Sequence, residues 1–170
     1  MDEVRKTAVY ATELLSLNRQ DTFEFGEKFS KILKRGDVIC VTGNLGAGKT
    51  VFIKGIGKGL NIQDNITSPT FVLATKYEGS IALVHVDMYR LNNANEVEGL
   101  GLDEVSCDSV LAVEWGERFL NELPRLTFHI EITSKLSDED SRIIKISTTE
   151  YVRSTEIIEA FRVEVERESK

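Results

Sequence analysis

A glycine-rich segment, Gly43–Thr50 (G-N-L-G-A-G-K-T), constrains the fold of this 170-residue chain more than any other feature. It fits the pattern G-x-x-x-x-G-K-[ST]. The apolar run Asp37–Thr42 precedes it and is typical of a buried strand, and the pattern of Val51–Leu60 after it predicts a helix. A strand, a glycine-rich turn and a helix in this order form a phosphate-binding unit of α/β proteins. We therefore predict an α/β fold with an anion site at this turn.

Each position of the loop has a chemical reason to contact phosphate. The three glycines allow positive φ and a close approach of the backbone to oxygen atoms. Successive N–H groups then form a nest for an anion, and the helix that follows adds the positive end of its dipole. Lys49 is expected to reach the β- and γ-phosphates, and the Thr50 hydroxyl to bind Mg²⁺. The predicted nucleotide-binding residues of the loop are Asn44, Leu45, Gly46, Ala47, Gly48, Lys49, Thr50 and Val51.

Two acidic residues follow apolar strand patterns and are candidates for the metal and the chemistry. Glu114 ends the run 110–113, and Asp87 ends the run 81–86. Ligands of parallel α/β sheets collect at the carboxyl ends of the strands, where both acids are expected to project. We assign the metal to Glu114 together with Thr50, and expect Asp87 to orient the attacking water or to share the magnesium shell. The predicted catalytic residues are Lys49, Asp87 and Glu114.

Three further residues are candidates with a plainer alternative for each. Thr70 ends the polar turn 67–70 and is expected to sense a γ-phosphate, unless the turn is an ordinary one. Arg90 follows Asp87 closely and is expected to neutralise transition-state charge, unless it is an ordinary surface residue. Trp115 adjoins Glu114 and is expected to stack on a partner or cover the site, unless it packs in the core. Zinc is not expected, because no His/Cys cluster has metal-ligand spacing.

The remaining pattern predicts a three-layer P-loop NTPase-like fold, in which a mixed, mostly parallel central sheet is flanked by helices. The sheet is predicted to be mixed because the strands 71–77 and 81–86 flank a short turn and so form a hairpin. We expect a single domain over 1–170, with a C-terminal amphipathic helix at about 154–168. Other predicted elements are a strand within 6–17, a helix capped by Asp21 or Thr22 and ending near Gly36, short helix or loop at 92–101, a short helix at 116–123, and paired strands at 126–133 and 142–147.

Composition limits the class of partner. The net charge of −7 opposes independent binding to a nucleic-acid backbone, which needs a basic surface. The apolar runs are far too short to span a bilayer, and the charged N-terminus has no signal-peptide pattern. Cys40 and Cys107 both lie beside apolar runs and are expected to be buried, reduced thiols. A cytoplasmic protein is therefore expected.

Several blocks, in order along the chain, resemble the bacterial TsaE (YjeE) family. The loop is similar to that family's G-D-L-G-A-G-K-T, and the resemblance runs from about Thr22 to about Ile146. The other matching blocks are Thr22 and Gly26 (T-x-x-x-G), 68–71 (S-P-T-F), 85–91 (H-x-D-x-Y-R-L) and 114–117, which is similar to E-W-P-E.

This resemblance implies an ATPase of the machinery that places threonylcarbamoyl on N6 of A37 in tRNA. The family acts with a TsaB–TsaD heterodimer, and its hydrolysis of ATP, with ATP/ADP and Mg²⁺ as ligands, is thought to reset that complex between turnovers. The resemblance implies that tRNA is met only through the complex, with no membrane involved. It also implies that Lys49, Thr50, Asp87 and Glu114 are nucleotide and metal residues, that Trp115 matches a family tryptophan, and that Thr22 lies near the adenine.

Two departures from the family pattern, and two other functions, stay open at the level of sequence. Asn44 stands where the family has Asp, and Gly116 where it has Pro. The alternatives are a small-molecule P-loop kinase and a nucleotide-gated adaptor without enzymatic activity. The kinase is disfavoured because no Arg or Lys lies between Arg90 and Arg118, where a basic lid would supply charge stabilisation.

Overall fold

The computed structural model describes residues 8–69, 73–135 and 138–162. Within these residues, seven strands form one sheet and five α-helices and two short 3₁₀ helices surround it. The strands are β1 (Tyr10–Ser16), β2 (Val38–Thr42), β3 (Ala74–Tyr77), β4 (Ala82–Asp87), β5 (Ser109–Glu114), β6 (Phe128–Lys135) and β7 (Asp138–Thr148). The α-helices are α1 (Arg19–Phe29), α2 (Lys49–Gly59), α3 (Ala94–Glu98), α4 (Leu102–Ser106) and α5 (Tyr151–Ala160), and the 3₁₀ helices are Ser30–Ile32 and Gly116–Phe119.

The sheet is mixed, with a parallel centre. Its order is β1-β7-β6-β2-β5-β4-β3, and the four strands β6, β2, β5 and β4 are parallel to one another. The outer pairings, β3 with β4, β7 with β6 and β1 with β7, are antiparallel. Every residue of β2, β4 and β5 is buried, as expected for central strands covered on both faces. The predicted hairpin of β3 and β4 is confirmed, and so is the mixed sheet.

Helices cover both faces of the sheet and make the three predicted layers. One face packs against α1, α2 and α5, with Phe29, Phe52 and Phe161 fully buried among the strand residues. The other face packs against α3, α4 and the 3₁₀ helix at 116–119, through Val97, Leu102 and other apolar side chains. The alternation of side chains along each strand supplies both apolar faces at once. The fold is thus the predicted three-layer α/β arrangement.

The boundaries predicted for the first helix are wrong. Its N-cap is Asn18, whose Oδ1 accepts hydrogen bonds from the backbone N–H groups of Gln20 (2.8 Å) and Asp21 (3.0 Å). Thr22 is buried on the inner face of the helix instead, where its hydroxyl contacts the Ser16 hydroxyl and the Asn18 carbonyl oxygen. The α-helix ends at Phe29, well before Gly36, which has φ of +88° in the turn before β2.

The structure also revises the two helical regions predicted on either side of β5. Residues 92–101 contain the short α3, but α4, which follows it, has no counterpart in the sequence prediction. The segment 116–123 is a 3₁₀ helix over its first four residues. At the C-terminus, α5 begins at Tyr151, three residues before the predicted start, and the predicted extension over 163–168 lies outside the described residues. No helix in the described ranges has the length and apolar character of a membrane span.

Candidate nucleotide site

The glycine-rich loop connects the carboxyl end of β2 to the first residue of α2, in the predicted order. Gly43, Gly46 and Gly48 all have positive φ, and Gly48 is the left-handed N-cap of α2. Glycine is required at position 43, because a Cβ there would lie 2.2 Å from the carbonyl oxygen of Ile132 on β6. The loop therefore packs directly on the neighbouring strand, and its geometry follows from the absence of a side chain at that point.

Lys49 lies in the loop with its charge already partnered. The side chain is 5% exposed, and its Nζ donates to the carbonyl oxygens of Gly43 (2.8 Å) and Asn44 (3.0 Å). The same Nζ lies 3.7 Å from the centre of the Trp115 ring, within the range of a cation–π contact. Burial lowers the pKa of Lys49, and the carboxylates of Glu114, Glu117 and Asp87 oppose this shift. The amine is thus held at the mouth of the nest, beside two backbone acceptors that a phosphate oxygen is able to replace.

Asp87 and Glu114 end the neighbouring parallel strands β4 and β5, and they are register partners. Both side chains are 3% exposed. The Thr50 hydroxyl donates to Glu114 Oε1 at 2.8 Å, so the first turn of α2 touches the end of β5. Asp87 accepts from the Ser68 hydroxyl at 2.6 Å and from the backbone N–H of Tyr89 at 2.9 Å. The residues predicted as the centre of the site therefore meet at one edge of the sheet.

These oxygen atoms suit a magnesium ion that also binds phosphate. Mg²⁺ is a hard cation that proteins usually hold through one or two carboxylates, with water and substrate phosphates completing the shell. Thr50 and Glu114 are in contact, and Asp87 ends the adjacent strand. Within the described residues no cluster of three or more His, Cys, Asp or Glu side chains is arranged to hold a metal alone. The donor set fits Mg²⁺ that arrives with a nucleotide and does not need a complete cage of protein ligands.

A cleft of about 450 Å³ lies over this centre and continues around the loop. Ser68 and Trp115 line it together with the residues of the phosphate end, Lys49, Thr50 and the two carboxylates. A smaller recess of about 110 Å³ lies on the other side of the loop and is lined by Thr22, Arg19, Gly46, Ala47, Gly48, Val51, Asp140 and Arg142. Arg19, Gly46, Gly48 and Val51 border both spaces. The loop thus lies between a cleft that contains Asp87 and Glu114 and a recess that Asp140 and Arg142 line, and Arg19 borders both.

Helix α1 brings Thr22 to this recess because Gly26 lets it approach α2 closely. A Cβ on Gly26 would lie 2.1 Å from the carbonyl oxygen of Phe52. One turn earlier on the same face, Thr22 shares a 2.7 Å hydrogen bond with Ser16, and its methyl would lie 3.6 Å from a Cβ on Gly48. The spacing of Thr22 and Gly26 therefore has a physical basis, since the glycine sets the helix against α2 and the threonine then borders the loop.

The remaining predicted residues are divided between the cleft and its surroundings. Trp115 is half-buried, has a left-handed backbone (φ +61°) and packs on the exposed ring of Tyr89 at 5.0 Å between centroids. Leu45 is 83% exposed at the tip of the loop. Arg90 is exposed and is not among the side chains that line the cleft. Thr70 lies outside the described residues.

Two residues that contact the site were not among the predicted site residues, although His85 begins the block 85–91 that the sequence analysis singled out. His85 is fully buried, and its Nε2 lies 2.9 Å from Glu114 Oε1. The alternation of β4 was a usable signal for it, because residues 85 and 87 share one face of the strand. Arg142 donates from Nε to the carbonyl oxygen of Ala47 in the loop (3.1 Å). No local signal indicated Arg142, because its contact depends on how β7 is placed next to β6.

Comparisons with known proteins agree with this architecture. A family model described as "Threonylcarbamoyl adenosine biosynthesis protein TsaE" matches residues 16–144. A tRNA threonylcarbamoyladenosine biosynthesis protein TsaE from Treponema pallidum is 42% identical over 119 residues, covering 69% of this chain and 88% of that protein. Its namesake from Streptomyces coelicolor is 38% identical over 130 residues, covering 74% of this chain and 88% of the relative. The crystal structure of Bacillus subtilis YdiB superposes with a TM-score of 0.72 and 29% identity, over 96% of this chain and 99% of that one.

Proposed function

The chain belongs to the TsaE family of threonylcarbamoyl adenosine biosynthesis proteins, and from this premise we propose that it binds and hydrolyses ATP in the modification of tRNA A37. Membership makes it a P-loop nucleotide-binding protein of that pathway. The finer statements are the proposal: the nucleotide is ATP, the reaction is Mg²⁺-dependent hydrolysis, and the hydrolysis resets a TsaB–TsaD complex between turnovers. In this role the protein works in the cytoplasm and meets tRNA only through its partners.

The observation that carries the proposal is the contact of Thr50 with Glu114 at the end of β5, directly beside the loop that holds Lys49. This arrangement joins an anion nest to a pair of carboxylates. Thr50 and Glu114 would hold the metal, with Asp87 beside them. The metal supplies charge neutralisation on the phosphates when it is bound.

The side chains of the site divide the work of hydrolysis among them. The loop amides bind the phosphate oxygens, and Lys49 exchanges its two carbonyl partners for the β- and γ-phosphates. Asp87, held by Ser68 and by the Tyr89 amide, is placed to orient the attacking water. Thr22 and Arg142 line the smaller recess, where the nucleoside is proposed to bind.

Dependence on a partner is part of the proposal, and the cleft mouth supports it. Leu45 and Tyr89 are exposed there, and Trp115 is half-buried between the cleft and Tyr89. Apolar side chains that border a catalytic cleft are suited to a protein surface that closes over it. We propose that TsaB–TsaD supplies this surface and that the isolated chain hydrolyses ATP slowly.

The test measures release of ADP from ATP by the chain alone and then with TsaB–TsaD and tRNA. Slow release that rises with the partners is the expected result. Rapid phosphoryl transfer to a metabolite would favour a kinase. Tight binding of ATP with no ADP formed, even with partners, would favour an adaptor without enzymatic activity.

Two variants connect this activity to the site. Lys49→Ala is expected to abolish turnover and to weaken triphosphate binding by about 1.5–3 kcal/mol, the range for a hydrogen bond to a charged group. Lys58→Ala, on an exposed lysine of the same helix, is the matched control and should behave as the wild type. Glu114→Ala is expected to bind nucleotide but to lose Mg²⁺-dependent hydrolysis. Unchanged hydrolysis in Glu114→Ala would transfer the metal role to Asp87.

A further inference from the structure

A buried histidine stands behind the Glu114 carboxylate. His85 is 0% exposed, and its Nε2 lies 2.9 Å from Glu114 Oε1. It occupies β4 two residues before Asp87, on the face of the strand that packs against the α2 side of the sheet. Nothing in the hydrolysis described above uses this histidine as an acid or a base.

The surroundings of His85 indicate which of the two side chains donates the hydrogen bond. An ionised carboxylate only accepts hydrogen bonds, so the ring donates through Nε2–H. The other ring nitrogen, Nδ1, is buried and has no hydrogen-bond partner among the described residues. Nε2 is thus the ring nitrogen for which the described residues supply a hydrogen-bond partner. The contact of the ring with Glu114 therefore runs through Nε2–H.

Glu114 Oε1 thus receives two donors from two different elements. His85 reaches it from β4, and the Thr50 hydroxyl reaches it from the first turn of α2 at 2.8 Å. Two donors on one oxygen fix the rotation of the carboxylate, so that the second oxygen faces a constant direction. Without the His85 donor, the carboxylate would keep its place at the end of β5, but the Thr50 hydroxyl alone would hold Oε1, and the terminal bond would rotate over a wider range.

We propose that His85 is a positioning residue, which holds Glu114 in the single orientation that binds a magnesium-bound nucleotide. The inference rests on the proposed function. It adds a separate role to that function, because in it His85 touches neither the nucleotide nor the metal and acts only through Glu114. Hydrogen-bond partners of metal-binding side chains typically change metal affinity 10–100-fold when they are removed.

The test compares metal affinity with nucleotide affinity, using Mn²⁺ as a probe of the Mg²⁺ site. Mn²⁺ binding to the protein–ADP complex is measured by electron paramagnetic resonance, and ADP binding in EDTA is measured by calorimetry. In His85→Leu we expect Mn²⁺ affinity to fall about 10–100-fold while ADP affinity in EDTA is unchanged. His85→Gln carries an amide N–H at the position of Nε2 and should restore Mn²⁺ affinity to within about threefold of the wild type.

Leu83→Val is the matched control, because Leu83 is fully buried on the same strand and face, and its register partner on β5 is Val110, four residues before Glu114. Equal Mn²⁺ affinity in His85→Leu and the wild type overturns the inference, and so does an equal loss in Leu83→Val. A wild-type chain that binds ADP but no Mn²⁺ overturns the proposed metal-dependent function itself, and the inference with it. Mn²⁺ binding by the wild type therefore distinguishes failure of the proposed function from failure of the inference on His85.

A second measurement needs no variant to fold. The chain has 2 histidines, so the ring nitrogens are readily assigned in a ¹⁵N-labelled sample of the wild type. We expect His85 to carry its proton on Nε2, with slow exchange in water because the ring is buried. A proton on Nδ1 instead would mean that the ring does not donate to Glu114, and that result overturns the inference.

Discussion

The close crossing of α1 and α2 gives a prediction whose size follows from one distance. Replacing Gly26 by Ala places a Cβ 2.1 Å from the Phe52 carbonyl oxygen. An ordinary carbon–oxygen contact is about 3.3 Å or longer, so the helices must separate by about 1.2 Å at this point. The neighbour is a backbone atom in the middle of α2, which has no rotamer that would move it away.

Two opposing energies decide the sign of the effect. Alanine in a helix is favoured over glycine by about 1 kcal/mol. Overpacking of a tight interface costs about 1–3 kcal/mol, and a backbone clash lies at the upper end of that range. We therefore expect Gly26→Ala to lower the free energy of unfolding by about 2 kcal/mol, which for a chain of this length lowers Tm by about 4–8 °C.

The assay is thermal unfolding with and without Mg·ADP. Because Thr22 lies one turn before Gly26 and borders Gly48 of the loop, the separation should also weaken nucleotide binding, so that ADP raises the Tm of the variant less than that of the wild type. Gly99→Ala is the matched control, since a Cβ there would meet nothing closer than 3.5 Å. A Gly26→Ala protein as stable as the wild type, or more stable, would refute the reasoning.

Three further predictions concern the rest of the chain. Arg153→Met should lower the free energy of unfolding by about 3–5 kcal/mol in urea denaturation, because it leaves the buried Asp37 carboxylate without its charged partner; the added change Asp37→Asn should recover part of the loss. Burial lowers the pKa of His129 below its ordinary value of 6.5. The unfolded chain therefore takes up a proton there before the folded one does, and stability falls as pH drops below 6.5. His129→Gln should flatten that part of the stability curve between pH 7.5 and pH 5.5, and an unchanged curve would contradict the assignment. The prediction that both cysteines are buried is wrong for Cys107, which is exposed. A thiol reagent should therefore modify Cys107 alone in the native protein, because burial raises the pKa of Cys40 to about 12; rapid modification of both thiols before unfolding would contradict this.

Much of the fold was predictable because its signals are local. Apolar runs of strand length located β2, β4 and β5, and the short turn between 77 and 81 located the β3–β4 hairpin. Boundaries were less predictable where two residues compete for one role. Asp21 and Thr22 both have side chains typical of helix caps, but Asn18 caps α1 because the packing of α1 on α2 turns Thr22 inward.

The residues of the candidate site also divide into those that local signals predicted correctly and those that they did not. Lys49 and Thr50 were predictable because the loop motif places them on consecutive residues between a strand and a helix, and Asp87 and Glu114 because each ends an apolar strand. Arg90 was predicted to lie at the site because it follows Asp87 closely along the chain, yet it is exposed and does not line the cleft.

The amino-acid sequence by itself determined the loop, the helix after it and the acids that end two strands, because these depend on the spacing of nearby residues; the predicted start of that helix, Val51, lies two residues after the observed one, Lys49. Only the tertiary structure decided that His85 faces Glu114 and that Arg142 reaches Ala47. Those contacts join residues that are 29 and 95 positions apart, and they exist because β4 lies next to β5 and because β7 lies next to β6. Strand order is set by the packing of both sheet faces against helices, which no local pattern contains.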